Sequence, residues 1–495
     1  MIQENNIEQE INKELSIKYR VVPYKFDQDK IIFWTDEYSS NAKEALKILT
    51  KKNIEFKECS SKDLYELRQK YYSKTDISNI KSIIDDFSDG KTLNKRQDFE
   101  NNDSKIIRLV NYLLDYAIAN KASDIHLDAV DGASIVRIRI EGILRDLLKL
   151  DRSLSNVLIN RIKVLAKLDY TVRNIPQDGS FSYKKDGKNI DIRVAVVPTI
   201  YSEKLVLRIL NRDNVELTRQ GIGLQGRNAE LVSKLIRQPS GLILSVGPTG
   251  SGKSTTLITL LKELKSPEIN IMTVEDPVEY KVEGFNQIEI NEERGLDFNL
   301  GLKSILRLDP DKLMVGEIRD QETARTALRA SITGRLVLSS LHTNDSPSAV
   351  YRLKDIGVEE YLISAGLIGV ISQRLVRKLC DCKVKERKYV ELYDETMDIY
   401  KPGSCSKCDM GYTGRMAVYE ILLLNDRLKE AINSGMGLIE FKRLCKEEGL
   451  ITLKESMKEL LKEGSTSLDE VYKNIMTIGE KWFINTRLYL LMEKR

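Results

Sequence analysis

Histidine is scarce: the chain has two in 495 residues, His126 and His342, so each imidazole has to be accounted for separately. Cysteine is scarce too. Six in so long a chain are too few for a disulfide scaffold, and four of them cluster late in the sequence, which points to metal. No run approaches the roughly 18 apolar residues of a membrane span, and the opening "MIQENNIEQE" is no signal peptide. The chain is therefore expected in the cytosol unless a partner holds it at a membrane. An excess of charge is also missing: 78 basic residues against 74 acidic ones leave +4, with no electrostatic footprint for nucleic acid. What remains is an ordinary folded composition, 41% hydrophobic and 31% charged, at a length that predicts three or four domains.

Texture divides the chain. Within residues 1–72, "YRVVPYKF" and "KIIFWT" are strand-like runs split by "DQD". A helix follows, with Ala42, Ala45, Leu46 and Leu49 on one face and Ser39 or Ser40 as cap, then a second through Leu64, Leu67 and Tyr71. Residues 73–103 are polar, charged and aperiodic, a flexible linker. In residues 104–215, Ile106, Leu109, Val110, Leu113 and Ala117 mark an amphipathic helix. Three alternating runs, "SIVRIRIEGILRDLLKL", "NIDIRVAVV" and "EKLVLRIL", predict a mainly antiparallel sheet with arginines on one face or at strand ends. Residues 216–372 carry "GLILSVG", "INIMTVED", "KLMVGE" and "RLVLSSLH", apolar at nearly every position, as strands of a parallel, doubly wound sheet are. A cysteine segment, 373–415, and a helical tail, 416–495, complete the chain.

"GPTGSGKST", Gly247, Pro248, Thr249, Gly250, Ser251, Gly252, Lys253, Ser254 and Thr255, follows a strand and opens a helix. Its glycines let the backbone curl until N–H groups face phosphate oxygens, the helix adds its dipole, Lys253 reaches the β- and γ-phosphates, and Ser254 can ligate magnesium. Glu317 closes a second strand, and Glu275, with Asp276 and Glu279, a third. Acidic residues often sit on solvated loops. Two acidic strand ends in one sheet with a phosphate loop favour the magnesium shell or the polarisation of water. His342, after "LVLSSL", is either a buried core imidazole or a polar group at a strand end. Cys380, Cys382, Cys405 and Cys408 form two close pairs suited to tetrahedral zinc, although C-x-C is an unusual first pair. Cys59 and Cys445 read as ordinary reduced residues.

"GPTGSGKSTTL", "VEDPVEY", "ILRLDPDKLMVGEIRD" and "LVLSSLHTND" together resemble the Walker A, Asp, Walker B and His boxes of the secretion-ATPase superfamily, in its type II secretion and type IV pilus assembly branch. The resemblance extends over roughly residues 104–425. It implies a multidomain α/β protein: a RecA-like motor domain preceded by an α+β PAS-like sheet domain and a small α/β unit, with a tetracysteine zinc module and a helical tail. It implies a homohexamer that hydrolyses ATP and turns domain closure into force on an inner-membrane platform protein. A cytoplasmic docking protein is a further partner, and no nucleic acid is expected. Lys253 and Ser254 would hold phosphate and magnesium, Glu317 the magnesium shell, and Glu275 would be the base, the division between the two glutamates staying open. Arg193 and Arg208 match arginines that reach the γ-phosphate from the sheet domain, and His342 would hydrogen-bond that phosphate. Arg335 stands where many relatives carry a second histidine, and His126 reads as structural. Pilus, pseudopilus and DNA-uptake systems stay open; a retraction motor would lack both the cysteine module and the N-terminal unit.

Some proteins of this branch bind cyclic di-GMP through two successive N-terminal motifs. Residues 19–72 resemble only the second half, and residues 1–60 hold a single arginine, Arg20, where a dinucleotide needs convergent cationic contacts. No cyclic di-GMP binding is expected, and the unit is expected to act as a tethered docking module.

Overall fold

The computed structural model describes residues 11–60 apart from 12 and 27–29, positions 63, 64 and 67, residues 97–210, and residues 216–475 apart from 404, 406, 407 and 409. Most of the expected linker, Tyr71 of the second expected helix and the last 20 residues of the tail lie outside the described residues. Two compact units result, Met1–Asn211 and Arg212–Arg495.

The first unit opens with β1 (Val21–Phe26) antiparallel to β2 (Lys30–Thr35). The helix Ser40–Thr50 starts where the Ser39 side chain accepts the N–H of Ala42, and it crosses over to β3 (Asn53–Glu58), parallel to β2. Ile31 and Phe33 of β2 turn inward onto Val21, Leu46 and Ile54. β3 was not legible in "NIEFKE", where only Ile54 is buried.

The helix Gln97–Ala119 begins inside the segment expected to be linker, so residues 97–103 are helical. Next come β4 (Asp124–Val130), β5 (Ala133–Ile140), β6 (Ile143–Asp151), β7 (Gln177–Lys185), β8 (Lys188–Pro198) and β9 (Glu203–Leu210). They form one antiparallel sheet in the order β6-β5-β4-β9-β8-β7. Ile106, Leu109, Val110, Leu113 and Ala117 are all buried, packing with Leu158 and Ile162 of the helix Arg152–Leu165 on Ile125, Val136, Ile192 and Leu207. With Ile192, Val194 and Leu207 inward, the two-residue period puts Arg193 and Arg208 on the opposite face.

The second unit contains β10 (Gly241–Val246), β11 (Ile271–Glu275), β12 (Asn286–Glu289), β13 (Lys312–Val315), β14 (Leu336–Leu341), β15 (Leu367–Leu379), β16 (Val384–Val390), β17 (Glu395–Lys401) and β18 (Tyr412–Leu423). Seven of them make a sheet in the order β12-β11-β13-β14-β10-β15-β18, parallel except for β18, which is antiparallel to β15. Leu242, Leu244 and Val246 of β10 face one layer with Leu302 and Leu328, and Ile243 faces the other with Leu257, Ile258 and Leu261. Burial on both faces explains the uninterrupted apolar runs. Two expected borders need correction: 372/373 falls inside β15 and 415/416 inside β18, so the cysteine segment is an excursion between two strands of the motor sheet. The tail therefore begins with a strand, and its helices start at Asp426. The hairpin β16–β17 shares a core with the helices Leu453–Glu463 and Leu468–Ile475, through Val390, Met397 and Ile399 against Met457, Leu461 and Val471.

Candidate functional site: a phosphate loop and three polar strand ends

β10 ends at Val246, and Gly247 leaves the strand with φ 151°. A Cβ there would lie 2.6 Å from the Gln373 carbonyl oxygen, and a Cβ on Gly252, at φ 90°, 2.9 Å from Nε2 of Gln373. Only glycine fits either position. The helix Lys253–Glu263 starts directly after, with no side chain capping its N-terminus. Oγ of Ser251 is buried without a partner among the described residues. Free helix N–H groups, a glycine cradle and an unused hydroxyl fit a phosphate chain.

Nζ of Lys253 donates to the carbonyls of Gly247 and Pro248 at 2.9 and 3.1 Å. Burial pulls this ammonium below its ordinary value; the Glu317 carboxylate opposes the shift and the Arg374 guanidinium adds to it. A cation so placed gains by meeting an anion.

The strand order β11-β13-β14-β10 brings three of the predicted polar groups to the carboxyl edge beside this loop. Glu275 is the last residue of β11 and 3% exposed. Its Oε1 accepts from Thr273 Oγ1 at 2.7 Å and from Gln287 Nε2 at 2.9 Å, yet burial dominates and raises its carboxyl above the ordinary range. Glu317 lies two residues past β13, ion-paired with Arg319. Arg319 also reaches Asp276 at 3.5 Å and rests over the Phe298 ring. His342 directly follows β14, its side chain 54% exposed, with Nε2 3.5 Å from Oε2 of Glu317. His342 is thus an exposed group at a strand end and not a buried core imidazole. His126, by contrast, is buried with neither ring nitrogen partnered among the described residues, and burial lowers its pKa. Arg335 turns away to the carbonyl of Thr333.

Arg193 and Arg208 sit directly opposite one another on β8 and β9, and Nε of Arg208 is 3.0 Å from Asp124. They belong to the first unit, and the motor loop to the second. Residues absent from the expected set are Gln287, Arg319, Gln373 and Arg374. The polar step Ser372-Gln373-Arg374 inside "LIGVISQRLVRKL" was the available signal for the last two.

Away from this edge, the Sγ atoms of Cys380, Cys382, Cys405 and Cys408 lie within 4.8 Å of one another. The Cys380–Cys405 and Cys382–Cys408 separations are each 3.7 Å, and Cys405–Cys408 is 3.5 Å. Four thiolates about 2.3 Å from one zinc stand about 3.8 Å apart, so the donor set fits that ion, C-x-C spacing included. Cys445 is buried in the motor core.

A glycine-cradled phosphate loop at the carboxyl edge of a mostly parallel sheet, flanked by acidic strand ends, defines a RecA-like P-loop ATPase. The family model described as "Type II/IV secretion system protein" matches residues 99–473, and the chain belongs to that family. It is 39% identical over 438 residues to a type II secretion system protein E of Aeromonas hydrophila, covering 85% of this chain and 87% of the relative. It is 37% identical over 486 residues to the type IV pilus assembly ATPase PilB of Myxococcus xanthus, covering 94% and 86%. Among solved structures, the pilus retraction motor PilT with bound ADP aligns at TM-score 0.52 and 28% identity, over 74% of this chain and 97% of that one. The chain is a secretion-type ATPase. No helix among the described residues is long and apolar enough to cross a membrane.

Proposed function

We propose that this ATPase powers assembly of a type IV pilus or a type II secretion pseudopilus. It works as a homohexamer recruited from the cytoplasm to the inner face of the cell membrane by a platform protein. The carrying observation is the convergence of Lys253, Glu317 and His342 beside one glycine-cradled loop, with Glu275 one strand beyond.

Lys253 leaves the loop carbonyls for the β- and γ-phosphates. Ser254 and Glu317 would hold a magnesium ion, which neutralises charge on those phosphates when bound. Glu275 orients the attacking water and takes its proton; a carboxyl raised by burial is a better base than an exposed one. His342 hydrogen-bonds the γ-phosphate and registers its loss. Arg193 and Arg208, on the free face of the first unit's sheet, supply cationic contacts to the phosphoryl group. The four thiolates would hold a structural zinc. That module and the N-terminal unit favour extension over retraction.

Pull-down of the tagged full-length chain from membranes, with mass-spectrometric identification of what it retains, tests this reading. A polytopic platform protein of a pilus or secretion machine is expected. Retention of only DNA-uptake components would move the reading to competence.

A further inference from the structure

Gln373 and Arg374 interrupt the apolar strand β15, and both are buried, at 1% and 7% exposure. β15 lies beside β10, with Val246 opposite Ser372, so this pair falls level with the phosphate loop. Nε2 of Gln373 donates to the Ser251 carbonyl at 2.6 Å. Nη1 of Arg374 donates to the Gln373 carbonyl at 3.1 Å and would stand 3.2 Å from a Cβ on Gly247. Nη2 of the same guanidinium donates to the Asn344 carbonyl at 2.7 Å, two residues beyond His342. One planar fork thus joins the strand segment that holds the phosphate loop, through Gln373, to the loop that carries the histidine.

The far side of that histidine loop is fixed. The Ser346 N–H and hydroxyl donate to Oε1 of Glu420 at 2.6 and 2.5 Å, and the Leu453 N–H donates to Oε2 of the same carboxylate at 2.9 Å. One buried carboxylate on β18 therefore ties the starts of two helices. No ion pair holds Arg374 among the described residues; Glu420 and Asp345 act on it only at longer range. Burying a guanidinium on carbonyls alone is costly, so a purely structural site would be better served by an apolar side chain. Lysine, a single point charge, could not span both carbonyls.

We propose that Gln373 and Arg374 are positioning residues through which occupancy of the phosphate loop sets the place of His342. This rests on the reading of residues 247–255 as the ATP loop. Phosphate draws Nζ of Lys253 off the carbonyls of Gly247 and Pro248, and the loop backbone resettles. Gln373 follows Ser251, and Arg374 follows the Gln373 carbonyl to which it donates. Because Glu420 holds Ser346, the displacement is taken up between Asn344 and His342. The two arrangements of this short segment are the bistable element that such coupling requires.

Hydrogen exchange on the full-length protein, with and without magnesium and a non-hydrolysable ATP analogue, tests the link beside steady-state phosphate release. In the wild type, nucleotide should slow exchange in both 247–255 and 342–350. Arg374→Gln should keep the first effect and lose the second, with kcat down about tenfold or more and KM changed less than about threefold. Arg374→Lys, which regains one carbonyl, should restore part of both kcat and the exchange response. It also carries the test if the glutamine variant does not fold. Full nucleotide-dependent protection of 342–350 in either variant, or a raised KM with unchanged kcat, would overturn the proposal. Absence of protection at 247–255 in the wild type would remove the ATP loop, and this inference with it.

Discussion

Nε2 of His342 and Oε2 of Glu317 stand 3.5 Å apart across neighbouring strand ends, within reach of Arg319, which is ion-paired with the same carboxylate. The imidazole is thus set against the proposed magnesium-shell group. His342→Ala should lower kcat about tenfold or more while leaving KM within about threefold. Equal loss in nucleotide affinity, measured by titration with a fluorescent ADP, would give His342 a binding role instead.

Glu275 carries a pH signature. Burial holds its folded-state pKa above the ordinary 4.5, so as pH rises past that value the unfolded chain releases a proton that the folded protein still keeps. The associated stability is full below the ordinary value and is lost as pH rises through the raised one. Glu275→Gln cannot ionise and keeps an oxygen for the Thr273 hydroxyl. Without nucleotide it should melt about 2 °C above wild type near pH 8, the gap closing near pH 4. Scanning calorimetry across that range checks the sign; a variant less stable at the higher pH would contradict it.

The sulfur cluster should hold about one zinc per chain by elemental analysis. The module's hairpin packs on Met457, Leu461 and Val471, so it has a core besides the sulfur cluster. Chelation, or Cys382→Ser, should therefore open residues 380–383 and 402–411 to protease while the hairpin and the phosphate-loop layer stay closed. Metal-free protein with an unchanged cleavage pattern would remove the site.

Residues 1–96 can be deleted without entering the helix that starts at Gln97. The truncated chain should retain its basal ATPase and lose recruitment to membranes that contain the platform protein. The full chain should give no heat with cyclic di-GMP in calorimetry. Micromolar binding by the full chain, absent after truncation, would contradict the tether-and-dock reading.

Sequence showed the motor sheet where strands are buried on both faces, since "GLILSVG" and "RLVLSSLH" are mostly apolar and show no two-residue alternation. It failed at edges and at buried polar pairs. β12, "NQIE", is half-exposed at one edge of the sheet, and β18 carries Glu420, which is buried only because the starts of two distant helices meet it. Gln373 and Arg374 likewise acquire meaning only when β15 is laid beside β10. The opening of the helix Gln97–Ala119 is hidden in "QDFENNDS", whose composition is that of a linker. Glu275, Glu317 and His342 were legible because each follows an apolar run, and strand ends are where a sheet of this kind places its chemistry.

Phosphate release from magnesium-ATP by the purified full-length chain tests the central claim most directly. Steady turnover is predicted for the wild type. Lys253→Ala should show none, and Glu275→Gln should bind ATP yet turn over at least about a hundredfold more slowly. Turnover by Lys253→Ala equal to the wild type's would place the activity elsewhere. Near-wild-type turnover by Glu275→Gln beside a dead Glu317→Gln would exchange the roles of the two glutamates.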